Sequence, residues 1–196
     1  QVGGGILVMN DNRSVITNNM ITGNSVTQLG GGIHLTDSNA TVAGNQILAN
    51  QAGIQGGGVL VHNLSATLAN NLISRNRAGI AGAGVFIASA QPTLRFNTIS
   101  DNGRNENGDG ILLTYGSAPA LLYNIISGND YGIRSDSAHP GQSVRNALHD
   151  NRLGNYHGVI QPGPSDLLVN PQHVRGPLGP YYLAQSAAGQ GSTSPL

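Results

Sequence analysis

The sequence contains no lysine and no cysteine. Without Lys there is no Schiff-base chemistry and no ammonium general base, and all nine basic residues are Arg. Without Cys, disulfides, thiolate nucleophiles and Cys-type zinc sites are excluded. Charged residues are also scarce, at 9% against roughly a quarter in ordinary globular chains. They cancel to a formal net charge of zero. No basic stripe is present, which argues against nucleic acid and anionic membrane as partners. So few charges also do not suit a disordered chain, which stays expanded by net charge. No apolar run approaches the roughly 20 residues needed to cross a bilayer as a helix, so membrane insertion is not expected. No signal peptide is seen. Gln1-Val2-Gly3-Gly4-Gly5 opens inside a repeat, which places the expected natural N-terminus upstream.

What the chain has instead is glycine, asparagine and a period. Glycines that introduce an apolar alternation recur at Gly5-Ile6, Gly32-Ile33, Gly58-Val59, Gly84-Val85, Gly110-Ile111, Gly132-Ile133 and Gly158-Val159, in steps of 27, 26, 26, 26, 22 and 26 residues. Within each period sits Asn-x-(Ile/Leu)-x-x-Asn, as Asn19…Asn24, Asn45…Asn50, Asn71…Asn76, Asn97…Asn102 and Asn146…Asn151, with Asn124…Asn129 between the last two. Three short apolar strands per period, none with a helical stripe, predict a right-handed parallel β-helix of about seven rungs, each stacked about 4.8 Å from the next. Residues 1–164 form the rungs in this reading, and residues 165–196 form an irregular closing segment of the same domain.

Alternation gives three inward columns. One is Ile6/Val8, Ile33/Leu35, Val59/Val61, Val85/Ile87 and Ile111/Leu113; the second is Ile16, Val42, Leu68, Leu94 and Leu121. The third is Ile21, Ile47, Ile73, Ile99, Ile126 and Leu148. The column Asn19, Asn45, Asn71, Asn97, Asn124 and Asn146 predicts a structural ladder. A side-chain amide both donates and accepts, so stacked copies can bond above and below. Asn also tolerates the left-handed backbone of a sharp corner. The Asn-x-Ser/Thr sites at Asn12, Asn39 and Asn63 read as turn composition.

Gly-Gly-Gly-Ile-x-Leu followed by Asn-x-Ile-x-x-Asn, over Val2 to Ile160, resembles the parallel β-helix repeats of the pectate-lyase-like superfamily. That resemblance implies the fold, but its members range from polysaccharide lyases, hydrolases and uronan epimerases to tailspikes and non-catalytic adhesins. The tail, with Asp166-Leu167-Leu168-Val169-Asn170-Pro171, Tyr181-Tyr182-Leu183 and Ser194-Pro195-Leu196, resembles the closing segment of bacterial surface β-helix proteins. Those proteins continue past the Ser-Pro-apolar stretch and often carry Phe where this chain has His173. A fragment of a longer parent chain is therefore expected, secreted or on a bacterial surface.

Function is sought where the rungs are irregular, because loops on a rigid scaffold carry it. The loop after the second Asn is seven residues long in regular rungs and shrinks to Asp130-Tyr131 in the fifth, leaving a notch. Tyr115, Arg134, Asp136 and His139 form one candidate catalytic group. Tyr and His could supply a base and an acid for proton abstraction beside a uronic carboxylate, with Arg to neutralise it. The plainer reading is a polar turn with an Arg134–Asp136 ion pair. The Asp-Pro-His-Glu of mannuronan epimerases, the Asp pairs and Gly-His-Gly of polygalacturonases and the calcium-Asp arrangement of pectate lyases are all absent.

Asp101, Glu106 and Asp109 lie in an oxygen-rich loop that could hold Ca²⁺, although Arg104 sits within it; no other cofactor is expected. The outward column of the first strand reads Leu7, His34, Leu60, Phe86, Leu112, Arg134 and Ile160. Such an apolar stripe demands cover by the tail, by a second copy or by a partner, so Leu60, His62, Phe86 and Leu112 form a candidate partner face. The neighbouring column runs Met9, Thr36, His62, Ala88, Thr114 and Asp136. His34 and His62, one rung apart, could hold a metal, with no third ligand evident. Bare end rungs invite self-association. The leading expectation is a non-catalytic extracellular β-helix with a structural, adhesive or carbohydrate-associated role; the alternative is a lyase or C5-epimerase acting on acidic polysaccharide.

Overall fold

The computed structural model describes residues 1–103, 108–136, 141–176 and 179–183, and every regular element among them is a β-strand. The chain winds as a parallel β-solenoid of six complete turns plus the first strand of a seventh, slightly short of seven full rungs. The first sheet stacks Ile6–Met9, Ile33–Thr36, Val59–His62, Val85–Ala88, Asp109–Thr114, Tyr131–Ser135 and Gly154–Gly158. The second stacks Val15–Thr17, Thr41–Ala43, Thr67–Ala69, Thr93–Arg95, Ala120–Leu122 and Gln142–Val144; the third stacks Met20–Thr22, Gln46–Leu48, Leu72–Ser74, Thr98–Ser100, Ile125–Ser127 and Ala147–His149. A small fourth sheet, not expected from the sequence, joins Ser25–Val26, Gln51–Ala52 and Arg77–Ala78.

Like residues fall on like residues. Ile33 pairs with Val59, Val42 with Leu68, and Ile47 with Ile73, each at identical register. These columns make one continuous core of aliphatic side chains. Each corner turns on one residue in the left-handed region. Before the first Asn column these residues are Asn18, Gly44, Asn70, Phe96, Tyr123 and Arg145. A non-glycine residue there costs on the order of 1 kcal/mol, and the amides beside it compensate.

The compensation is visible at Asn71, which is only 2% exposed. Its Nδ2 donates to Asn97 Oδ1 at 3.0 Å and to the Val42 carbonyl at 2.9 Å. Its Oδ1 accepts the main-chain and side-chain N–H groups of Asn45, both at 3.0 Å. All four amide valences are filled without water. The second Asn of each period builds a parallel ladder through Asn24, Asn50, Asn76, Asn102, Asn129 and Asn151.

Glycine opens the first strand because the coil is tight there. A Cβ on Gly84 would lie 2.4 Å from the Gly110 carbonyl oxygen. Two residues earlier Gly82 has φ 66°, which folds the chain back so that a Cβ would touch Phe86. This turn, repeated at Gly30 and Gly56, lays Leu29 and Ala81 against the outward column of Leu60, Phe86 and Leu112. Those three side chains are each 3% exposed, so the apolar stripe is not the open face that strand alternation suggests; His62 beside it is exposed.

The seventh strand also departs from expectation. Tyr131 pairs with Gly154, and Arg134 with His157, so the outward column ends at His157 and not at Ile160. Only two residues separate Asn151 from this strand, so it starts earlier than the Gly158-Val159 pair suggests. After it the chain returns to the third sheet, where Leu167 bridges Ala147. His173–Gly176 and Gly179–Leu183 then form an antiparallel hairpin.

Candidate functional site

The outward wall of the first sheet changes character along the coil. Its column is His34, Leu60, Phe86 and Leu112 through the middle turns, then Arg134 and His157. The change coincides with the shortened fifth-turn loop. There Asp130 folds in, accepting from Arg152 Nε at 2.6 Å and from the Gly108 N–H at 3.3 Å. Asp109, with its side chain fully buried, pairs with Arg134 Nη2 at 3.0 Å and accepts the Gly82 N–H at 3.0 Å. Its Oδ1 has no hydrogen-bond partner. Burial pushes this carboxyl up to about 6, helped by the nearby Asp130 and opposed by Arg134, Gly82 and His157. The Tyr131 ring stacks on His157 at 4.4 Å, and Arg134 lies 5.8 Å from the Tyr131 ring centre.

This wall redraws two groups of sequence candidates. Arg134 makes its ion pair with Asp109, the sequence-distant residue, instead of with Asp136. Tyr115 stands 74% exposed at a left-handed corner, and Asp136 is exposed; His139 lies outside the described residues. Two of the calcium candidates, Asp101 and Asp109, do not share a site. Asp109 belongs to the Arg134 pair, whereas the Asp101 carboxylate lies over Gly128 on the third-sheet corner, where a Cβ would stand 2.3 Å from its Oδ1. Glu106 also lies outside the described residues. The Asp109–Arg134 and Asp130–Arg152 pairs were not foreseen. Their signal was the loop deletion, which brings Asp130 beside Gly108.

On that third-sheet corner, residues 170–173 enclose a cleft of about 310 Å³ with Asp101, Ser127, Gly128, His149 and Asp150. Burial lowers the basicity of His173, and Asp101 partly restores it. Among the described residues no three His, Cys, Asp or Glu side chains converge as a metal site, here or elsewhere.

The N-terminal turns carry a different arrangement. His34 is 5% exposed, and its Nδ1 is buried without a partner. Desolvation holds this imidazole below its ordinary pKa, the neighbouring His62 adds to the effect, and the Leu29 backbone opposes it. Thr36, two residues along on the same face, lies opposite His62, with Oγ1 3.3 Å from His62 Nδ1. Met9 lies opposite Thr36 on the other side.

No curated protein and no solved structure matches the chain. Among the described residues no helix is long and apolar enough to cross a membrane. A family model does match, over residues 5–166, and its description is "Periplasmic copper-binding protein (NosD)". The periplasmic setting agrees with the secreted or surface location expected in bacteria, and the pectate-lyase-like resemblance stands at the level of a parallel β-helix repeat. With all six complete turns inside that match, the chain belongs to the NosD family.

Proposed function

We propose that this chain is a non-catalytic periplasmic β-helix that binds copper. The observation that carries this reading is the orphaned Nδ1 of His34. A ligating imidazole commonly ties its other nitrogen to a carbonyl, which fixes the tautomer and leaves a directed lone pair. In His34 it is Nδ1 that is buried with no partner, and the Leu29 carbonyl acts on the same ring against the effect of burial. Metal binding also requires the neutral ring, and burial favours it here. Imidazole is a good donor for copper, and a second imidazole, His62, lies on the next turn. The donors therefore fit copper at this place. When bound there, copper would accept the lone pairs of the imidazoles, and the rigid rungs would hold His34 and His62 at fixed spacing.

Carbohydrate chemistry has less support. Arg134, the cation that would neutralise a substrate carboxylate, already faces Asp109. An adhesive or carbohydrate-associated role for the outer wall has no feature of comparable specificity, since its apolar column is buried. The test is an anaerobic titration of the full chain with Cu(I) against a competing chromophoric chelator, run beside a uronan panel followed by absorbance of unsaturated product. Cu(I) retention without turnover is the expected result. Turnover lost in Tyr115→Phe would replace this reading with the lyase one.

A further inference from the structure

We infer that Met9 completes a His34–His62–Met9 site selective for Cu(I). This deepens the copper reading above and rests on it. Among the described residues no three His, Cys, Asp or Glu groups converge, and the sequence has no Cys. Among the described residues a third side-chain ligand beside two imidazoles is then to be sought in thioether sulfur, and the chain has two methionines.

Their positions differ in kind. Met20 lies on the third sheet, where its neighbour in the column is Gln46. Met9 lies opposite Thr36, and Thr36 lies opposite His62. Met9 and His62 thus flank Thr36, each about 4.8 Å away by strand spacing. His34 precedes Thr36 by two residues, so its side chain emerges on the same face. Three of the four positions around Thr36 on this wall carry soft or borderline donors. Met9 is 53% exposed and unbranched, so its sulfur is free to swing toward the two imidazoles. Thioether with imidazole favours Cu(I) over harder divalent ions. The Asp109–Arg134 wall at the other end of the same sheet has no such donor set.

The experiment uses the full chain and its Met9→Leu, His62→Ala and His34→Leu variants. His34→Leu keeps the fold because Leu occupies the same column at Leu60 and Leu112. Each protein is titrated anaerobically with Cu(I) against bicinchoninate and, separately, with Zn(II). Melting curves confirm folding, and copper X-ray absorption reports sulfur in the coordination shell. The parent chain should take up one Cu(I) with a sulfur signal. Met9→Leu should lose that signal and weaken Cu(I) at least tenfold, with Zn(II) affinity unchanged. His34→Leu and His62→Ala should weaken both metals. If the parent binds Cu(I) and all three folded variants match it, this site is wrong while the copper reading stands. If the parent binds no Cu(I), both fall. Should Met9→Leu weaken Cu(I) and Zn(II) equally, the proposed selectivity is overturned.

Discussion

Asp166 accepts both the main-chain N–H of Asn146, at 2.8 Å, and its side-chain amide, at 3.1 Å. It occupies the place a seventh Asn would take, and its other oxygen gathers Ser143 Oγ at 2.5 Å, the Tyr156 hydroxyl at 2.6 Å and the Gly163 N–H at 2.9 Å. Burial alone would raise this carboxyl, but the donors around it outweigh burial and hold it below the ordinary carboxylate range. The ionised form is therefore the one the fold prefers. Its stabilisation is fully present above the unfolded pKa of about 3.9 and is lost as pH falls through the lower folded value. Asp166→Asn should flatten the melting-temperature profile below about pH 4, and Asp166→Ala should also lower stability at pH 7. Thermal melts from pH 2 to 7 check both.

Asp109 gives the opposite slope. Its folded pKa is raised to about 6, so between about pH 4 and 6 the native state holds a proton that the unfolded chain releases. Stability falls as pH rises through that window. Asp109→Asn should remove this decline, which for a shift of about two units amounts to roughly 3 kcal/mol at most. Chemical denaturation at pH 4 and pH 7 measures the difference; an unchanged slope in the variant would assign it elsewhere.

The middle of the first ladder should be far less tolerant than its start. Asn71→Ala strips partners from Asn45, Asn97 and the Val42 carbonyl, all buried. With unsatisfied buried groups at about 1–3 kcal/mol each, a loss of about 3 kcal/mol or more is expected. Asn19→Ala, at an exposed first turn, should cost under about 1 kcal/mol. Urea midpoints of the two variants provide the comparison.

Gly84→Ala places a methyl 2.4 Å from the Gly110 carbonyl oxygen and 3.0 Å from Asn102 Nδ2. Neither group has room to yield, because backbone stacks above and below. Destabilisation of about 2–3 kcal/mol is expected, read from the same urea curves; a neutral result would mean that the turns separate more readily than their register implies.

The repeating part of this architecture was legible in the sequence because stacking writes itself as a period. Ile47 over Ile73 and Asn45 over Asn71 needed only a step of 26 residues. Legibility failed where the period did. Asp166 follows Asn146 by 20 residues and changes residue type, so nothing marked it as the next member of the column. The seventh strand was misplaced by three residues because Gly158 imitates the strand-opening glycine. Burial of Leu60, Phe86 and Leu112 could not be read from alternation, since it depends on the left-handed turn at Gly82 folding over them. The imidazoles of His34 and His62 were visible as a pair. Their relation to Met9 passes through Thr36, and only the strand register puts the three around one residue.

The amide ladder gives the coil a polarity. From Asn45 to Asn124 each side-chain nitrogen donates one N–H to the amide oxygen of the next turn toward the C-terminus, and never the reverse. The small dipoles add head to tail, leaving their positive end at Asn146, where the Asp166 carboxylate neutralises it as an anion does at a helix N-terminus. The two directions along the coil are therefore chemically unlike. A further turn could extend the ladder past Asn146 only by taking the place that Asp166 already fills.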